Sequence, residues 1–301
     1  MKEPNFFIIG APKCGTTALS EYLRTHAQIY VSSPKEPHYF AEDYNNTPFK
    51  TWEQYLSLFE EASDRHLAVG EASVHYLCSE MALEKIREFN PEAKIIVMLR
   101  NPIQLVHSYH AQLLYNTGED RSDFETAWKL QSVRQGGQQI PKRCGNPRVL
   151  QYKQIGSLGS QMEKLLSLFP QNQVKAIVFD DFKASPQTVY EEALAFLGVP
   201  SDNRVDFPRI NASKTHNLPW LGRFTEKTPT PILALTKKTQ SWLGIESFGV
   251  MNVLRNLNAK PQARQPLAAE FRGTLIEEFR DETHKLSQVL HRDLSHWMSE
   301  Q

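Results

Sequence analysis

The sequence predicts an α/β fold: a P-loop-type parallel sheet flanked by helices on both faces, in a single domain. Three observations carry that expectation. Apolar β-type runs alternate with helical patterns, the order that builds a parallel sheet covered on both sides. Residues 6–23, FFIIGAPKCGTTALSEYL, read as a strand, a short Gly/Pro loop and a helix in direct succession. No internal repeat, low-complexity tract or linker divides the 301 residues.

The elements follow in order. Strands are expected near 5–9, 67–70, 94–100 and 174–179, with a short one near 29–31, where apolar and β-branched residues cluster. Helices are expected near 16–26, 52–60, 79–89, 102–115, 123–132, 157–168, 186–197 and 267–291. The last is the clearest, because Phe271, Leu275, Phe279, Leu286 and Leu290 recur at helical spacing with charges between them. Pro266 stands just before it, where proline suits a helix start. The Gln- and Gly-rich stretch 133–156 and the proline-bearing stretch 199–232 read as irregular, and long loops of that kind are usually functional.

Composition bounds the function. The chain is 40% hydrophobic and 23% charged with zero net charge, which argues against a general nucleic-acid binder. No apolar run approaches the ~18 residues of a membrane span. The start, MKEPNFFIIGAPK, lacks the long apolar segment of a secretory signal. Cys14, Cys78 and Cys144 are odd in number and form no CxxC pair, so neither a disulfide framework nor a zinc site is expected. A reducing, cytoplasmic setting follows as the expectation.

The loop at 10–17 carries the first chemistry. A strand–loop–helix aims backbone N–H groups and the positive end of a helix dipole at one point, which suits a phosphate. The spacing from Gly10 to Gly15 fits a nucleotide-hydrolase loop, but Thr16 stands where its lysine belongs and Lys13 lies upstream. What remains is an anion cradle with one cation and the hydroxyls of Thr16 and Thr17; its bland counterpart is a ligand-free βα turn. Cys14 reads as a slot filler in a loop whose backbone does the binding. A second cation, Arg100, ends the strand pattern KIIVML at 94–99, and Asn101-Pro102 open the next helix. That puts Arg100 at the carboxyl end of a parallel strand, where open α/β sheets bind ligands. Ser108 follows on the helix, and both side chains could reach one oxyanion, since the guanidinium fork pairs phosphate oxygens bidentately.

PKxGTT after a strand resembles the 5′-phosphosulfate loop of sulfotransferases that use 3′-phosphoadenosine 5′-phosphosulfate (PAPS). RNPxxxxxS resembles their 3′-phosphate motif. KEPHYF at 35–40, GEAS at 70–73, the segment 178–199, INAS at 210–213 and HRDLSHW at 291–297 resemble the bacterial and heparan-type branch. The resemblance implies that Lys13, Cys14, Gly15, Thr16, Thr17 and Ala18 hold the sulfated phosphate, while Arg100 and Ser108 hold the 3′-phosphate. It implies one domain over 1–301, with the nucleotide-binding core at about 1–200 and a loop and C-terminal helices at about 201–301. It implies transfer without a metal, with Lys13 as the catalytic cation and Glu36 as the base. His38 shares that site, and His75 is held in reserve because other branches use a histidine base. Lys214, with Arg223, is the candidate to cover the nucleotide. One departure is plain: Glu71 is followed by Ala72 and Ser73, where the heparan-type branch often has a lysine.

The implied acceptor is a hydroxyl or amine on a glycan or small metabolite, with no nucleic acid partner. Residues 126–161 hold six cations (Lys129, Arg134, Lys142, Arg143, Arg148, Lys153) and no acid. That stretch fits an anionic acceptor, a cover for the nucleotide, or a solvated face. Two other readings compete: a P-loop kinase, for which KAIVFDD at 175–181 resembles a strand ending in a metal-binding aspartate, and a PAP- or PAPS-binding protein without turnover.

Overall fold

A computed structural model describes residues 2–44, 47–210, 214–216, 259–261 and 266–299. Five parallel strands form the central sheet: β1 (Phe6–Ile8), β2 (Ile29–Val31), β3 (Ala68–Ala72), β4 (Lys94–Leu99) and β5 (Val174–Val178). Their order is β2-β3-β1-β4-β5, so β1 lies in the middle. Phe6, Phe7, Ile8 and Ile9 are buried on both sides, which is why the segment is uniformly apolar rather than alternating. Burying each such side chain contributes about 1.5–3 kcal/mol. The chain passes from β1 to β2 and β3 on one side of the sheet, and β4 and β5 lie on the other. The reversal at β1 opens a crevice at the strands' carboxyl ends.

The flanking helices are α1 (Thr16–Arg24), α2 (Trp52–Leu56), α3 (Ala82–Phe89), α4 (Pro102–Tyr115), α5 (Phe124–Lys129), α6 (Gln131–Gln135), α7 (Tyr152–Gly156), α8 (Leu158–Leu168), α9 (Phe179–Ala184), α10 (Pro186–Leu197) and α11 (Ala269–Leu290). A short antiparallel pair, β6 (Lys214–His216) and β7 (Ala259–Pro261), stands apart from the main sheet, with β6 beside α4. Helix α11 lies against α8 and α4, closing the C-terminal part of the chain onto the core. Among the described residues no helix is long and apolar enough to cross a membrane.

Several boundaries differ from the sequence expectation, each for a visible reason. The third strand runs through Gly70 to Ala72 instead of stopping at 70. Gly70 is no terminator: a Cβ there would sit 2.2 Å from the carbonyl oxygen of Phe6, so the two backbones need the missing side chain. The helix expected at 123–132 divides at Leu130 into α5 and α6. The helix expected from 79 begins at Ala82, because the Ser79 hydroxyl caps the N–H groups of Met81 and Ala82 at 3.2 and 3.0 Å. The stretch 133–156 is not irregular throughout; it holds the end of α6, a 3₁₀ turn at Pro147–Leu150, and α7.

Candidate active site

After β1 the chain keeps pairing with β4: the N–H of Ile9 donates to Ile96 O at 3.0 Å and that of Ala11 to Met98 O at 2.7 Å. The loop then turns through two left-handed residues, Lys13 (φ 64°) and Gly15 (φ 92°). A Cβ on Gly15 would lie 3.0 Å from the Phe179 ring, so close packing as well as φ demands glycine. Gly15 caps α1 without a side-chain acceptor, and the first backbone bond into the helix is Leu19 N–H to Gly15 O. The N–H groups of Gly15, Thr16, Thr17 and Ala18 therefore open together at the positive end of α1. Thr16 is buried and Thr17 half-buried. Cys14 contributes backbone only. Its thiol is in the core, donates to Pro12 O at 3.4 Å, and burial pushes it up to about 12 despite nearby Arg100 and Lys13.

Arg100 sits where β4 ends. Asn101 caps α4 through Oδ1, accepting from the N–H groups of Ile103 and Gln104 at 2.9 and 3.2 Å, and Pro102 gives up no bond at the first helical position. The Arg100 fork donates to Lys13 O at 3.1 Å and to Gln104 Oε1 at 3.2 and 3.0 Å, with its plane 4.7 Å over Phe179. Burial lowers its pKa, against the charges of Cys14 and Asp180. Ser108 is buried two turns along the same helix. The C-terminal segment braces this corner: Asn101 Nδ2 donates to Trp297 O at 2.7 Å, and Trp297 Nε1 to Asp180 Oδ2 at 3.3 Å. Arg292 forks onto Asp181. Both aspartates of KAIVFDD are thus engaged with the chain's end, and they open α9 rather than closing a metal site.

Across the crevice, residues 35–40 are hung on the end of β3. Glu36 N–H donates to Ala72 O at 3.0 Å and His38 N–H to Ser73 Oγ at 2.9 Å. Ser73 in turn donates to Glu71 Oε2 at 2.6 Å, and Glu71 Oε1 accepts from Tyr76 at 2.6 Å and Tyr55 at 3.2 Å. Burial raises the Glu71 pKa against those donors, so Glu71 is a buttress inside the fold. Glu36 (φ 63°) and His38 (φ 51°) are both left-handed, a costly conformation that clusters at working sites. The Glu36 side chain is 39% exposed; Oε1 lies 2.7 Å from Lys35 Nζ and Oε2 lies 3.4 Å from His38 Nε2. Burial pulls its pKa up, but the Lys35 ammonium and His38 outweigh that and hold it below the usual carboxylate range.

Helix α4 joins the two sides. Gln112 Oε1 accepts from Lys13 Nζ at 3.0 Å, and Tyr109, one turn earlier on the same face, has its hydroxyl 3.0 Å from His75 Nε2. Tyr109 and Gln112 thus reach His75 and Lys13 from a single element.

Comparison with known proteins agrees with this geometry. The family model described as a sulfotransferase domain matches residues 3–218. The chain belongs to the sulfotransferase family. A bacterial sulfotransferase from Alicyclobacillus acidocaldarius has a similar structure, with TM-score 0.72 and 26% identity over 99% of this chain and 100% of that one. The bifunctional heparan sulfate N-deacetylase/N-sulfotransferase 3 of Mus musculus is 26% identical over 96% of this chain, and the chain spans 30% of that relative's length. Carbohydrate sulfotransferase 15 of Mus musculus is 30% identical over 35% of this chain and 26% of its own length.

In this family member the sequence-read residues gather at the carboxyl ends of three neighbouring strands. Lys13 and residues 14–18 follow β1, Arg100 ends β4 with Ser108 on α4, and Glu36 and His38 hang on the end of β3. Lys214 begins β6 beside α4, while Arg223 lies outside the described residues. Gln104 and Phe179, which hold Arg100, and Tyr109 and Gln112, which touch His75 and Lys13, were not singled out by the sequence. The basic stretch, open to three readings from the sequence, is largely paired in the fold. Lys129 pairs with Glu125 at 2.6 Å, Arg134 with Glu119 at 2.6 Å, Arg148 with Glu80 at 2.8 Å, and Lys153 with Glu278. Four of its six cations already hold carboxylates, all four of which lie outside 126–161.

Proposed function

We propose that this sulfotransferase carries the sulfuryl group of PAPS to a hydroxyl or amine of a glycan. The observation that carries the reading is the gathering of two cations, Lys13 and Arg100, and a carboxylate, Glu36, at the carboxyl ends of the neighbouring strands β1, β4 and β3. The glycan part is supported by relatives whose names refer to heparan sulfate and carbohydrate acceptors. A reducing, cytoplasmic setting belongs to the proposal and is supported by the buried Cys14 and Cys78 thiols, which stand outside any disulfide.

The residues present fit the donor. The open N–H groups of 15–18 suit a phosphosulfate, and the Arg100 fork, now on a neutral amide, can exchange Gln104 for a phosphate oxygen. PAPS, when bound, supplies the sulfuryl group and a bridging oxygen that keeps the electron pair as the sulfur–oxygen bond breaks. Lys13 stabilises the charge that gathers there, an effect of roughly 10²–10³ in rate. Glu36 takes the acceptor's proton, and its lowered pKa leaves it ionised across the neutral range.

The test is incubation of the purified protein with labelled PAPS or with ATP and Mg²⁺, against desulfated heparan and a simple phenol. PAPS should be consumed and the polysaccharide should gain SO₃. Glu36→Gln should lower kcat by roughly 10²–10⁴ with PAP affinity unchanged. Consumption of ATP but not PAPS would overturn the donor; sulfation of the phenol alone would overturn the glycan.

A further inference from the structure

His38 poses a physical problem. Its ring is 2% exposed, yet neither ring nitrogen has a hydrogen-bond partner among the described residues. Buried polar atoms are normally satisfied, and an exception calls for a cause. The nearest charged group is Glu36, whose Oε2 is 3.4 Å from Nε2 without an aligned bond. No hydrogen bond therefore sets the angle of this ring.

Stacking sets it instead. His38 lies on His75 with ring centroids 4.8 Å apart and planes 26° from parallel, and the other face of His75 lies on Tyr44 at 4.8 Å and 7°. Tyr76 meets His38 edge-on at 6.3 Å. His75 is covered on both faces and tied at its edge to the Tyr109 hydroxyl at 3.0 Å, so it cannot turn. We propose that His75, clamped by Tyr44 and Tyr109, is a positioning residue that sets the His38 ring against Glu36. The inference rests on the sulfuryl-transfer reading and deepens its base side.

The charges around the stack agree with that role. Lys35 and Glu36 face it from the 35–40 loop, Glu71 from β3 through Ser73, Tyr44 from the turn at 42–44, and Tyr109 from α4. Burial drives the His75 pKa down to about 3, helped by His38 and Lys35 and opposed by Glu36. A ring kept neutral takes no proton from Glu36 or His38, and so serves as a fixed platform. Tyr109 also connects the platform to the donor side, because the next turn of α4 carries Gln112 on Lys13.

The experiment uses full-length protein labelled with ¹⁵N-histidine, with PAP binding measured on the same samples. In the wild type His75 should give one neutral tautomer from about pH 5 to 8. Tyr109→Phe keeps the ring packing and removes the hydroxyl; His75 should then populate both tautomers. The same variant should lose roughly 10- to 10²-fold in kcat with PAPS and desulfated heparan, the scale of a misplaced catalytic group, while PAP affinity holds. Tyr44→Leu should lose a similar factor and Tyr44→Phe should restore it. A His75 that titrates in that window, or a Tyr109→Phe spectrum unchanged from the wild type, overturns the platform. Failure of the wild type to bind PAP counts against sulfuryl transfer alone, and the histidine spectra still decide the platform.

Discussion

Two arginines in this molecule are equipped in opposite ways. Arg134, in the stretch after α5, is fully buried and forks onto Glu119 at 2.6 and 2.7 Å. Glu119 also accepts from Tyr152 at 2.6 Å and from the N–H groups of Asp120 and Arg121 at 2.8 and 2.9 Å. Arg100, at the end of β4, is half-buried and gives its N–H groups to a carbonyl and a side-chain amide while resting on an aromatic ring. A cation on a carboxylate is neutralised by the fold. A cation on neutral acceptors is oriented by the fold and keeps its field for a ligand. The contrast sorts basic residues by the partner each one holds, which their density along the chain does not reveal.

The comparison is broken most forcefully at Glu119. Glu119→Gln leaves the Arg134 charge buried without its counterion, which costs roughly 3–5 kcal/mol when a buried pair loses one partner. Denaturant unfolding should show that loss, and calorimetry should show PAP binding unaltered. The pH dependence has a definite sign. Burial raises the Glu119 pKa, but the bonds from Arg134, Tyr152 and the two backbone N–H groups bring it down to about 2 from an ordinary 4.5. A carboxylate depressed in the fold stabilises it fully above the unfolded value and loses that contribution as pH falls through the folded one. The wild type should therefore lose this stability between about pH 4.5 and 2, and the variant should lack that component. An unfolding free energy within about 1 kcal/mol of the wild type would show that the pair does not hold this region.

The same contrast explains what the sequence disclosed. The turns that carry Lys13 and Arg100 were legible because their residues are contiguous: PKCGTT and RNP each fix a strand end, a turn and a helix start within a few positions. Glu36 and His38 were legible through one further short segment. The stack itself was not, because Tyr44, His75 and Tyr109 come from three separate segments, and His75 stood out only as a reserve base rather than as a partner of His38. Gly70 misled as a strand end because the close approach of Phe6 is not visible along the chain. The pairing of the basic stretch was not legible because Glu80 and Glu278, which hold Arg148 and Lys153, are far from them in sequence.

Arg100 sharpens the comparison with a smaller effect. Arg100→Ala removes charge-assisted bonds of roughly 1.5–3 kcal/mol to a phosphate, and should weaken PAP by about ten- to a hundredfold. Adenosine 5′-phosphosulfate, which lacks the 3′ group, should lose far less. Stability should change by less than in Glu119→Gln, since no buried charge is stranded. Equal weakening of both nucleotides would mean that Arg100 does not read the 3′-phosphate.

The smallest effect is expected where cations are both exposed and paired. The Lys129 side chain is 69% exposed and the Lys153 side chain 62%, each on a carboxylate. Exposed pairs of this kind contribute about 0–1 kcal/mol and weaken with salt. Lys129→Ala with Lys153→Ala should therefore leave stability and PAP affinity almost unchanged. The informative measurement is KM for desulfated heparan, which keeps its uronic acid carboxylates. If a partner carboxylate neutralises a surface lysine for recognition as it does for stability, KM should hold at low and at moderate salt. Lys142 is exposed on the same stretch and supplies the contrast. Lys142→Ala should raise KM more than the paired double variant does, and most at low salt, where exposed charges act over the longest range. A larger rise from Lys129 and Lys153 would mean that these lysines leave their carboxylates for the acceptor. Carboxylate pairing would then no longer distinguish a structural cation from a binding one in this molecule.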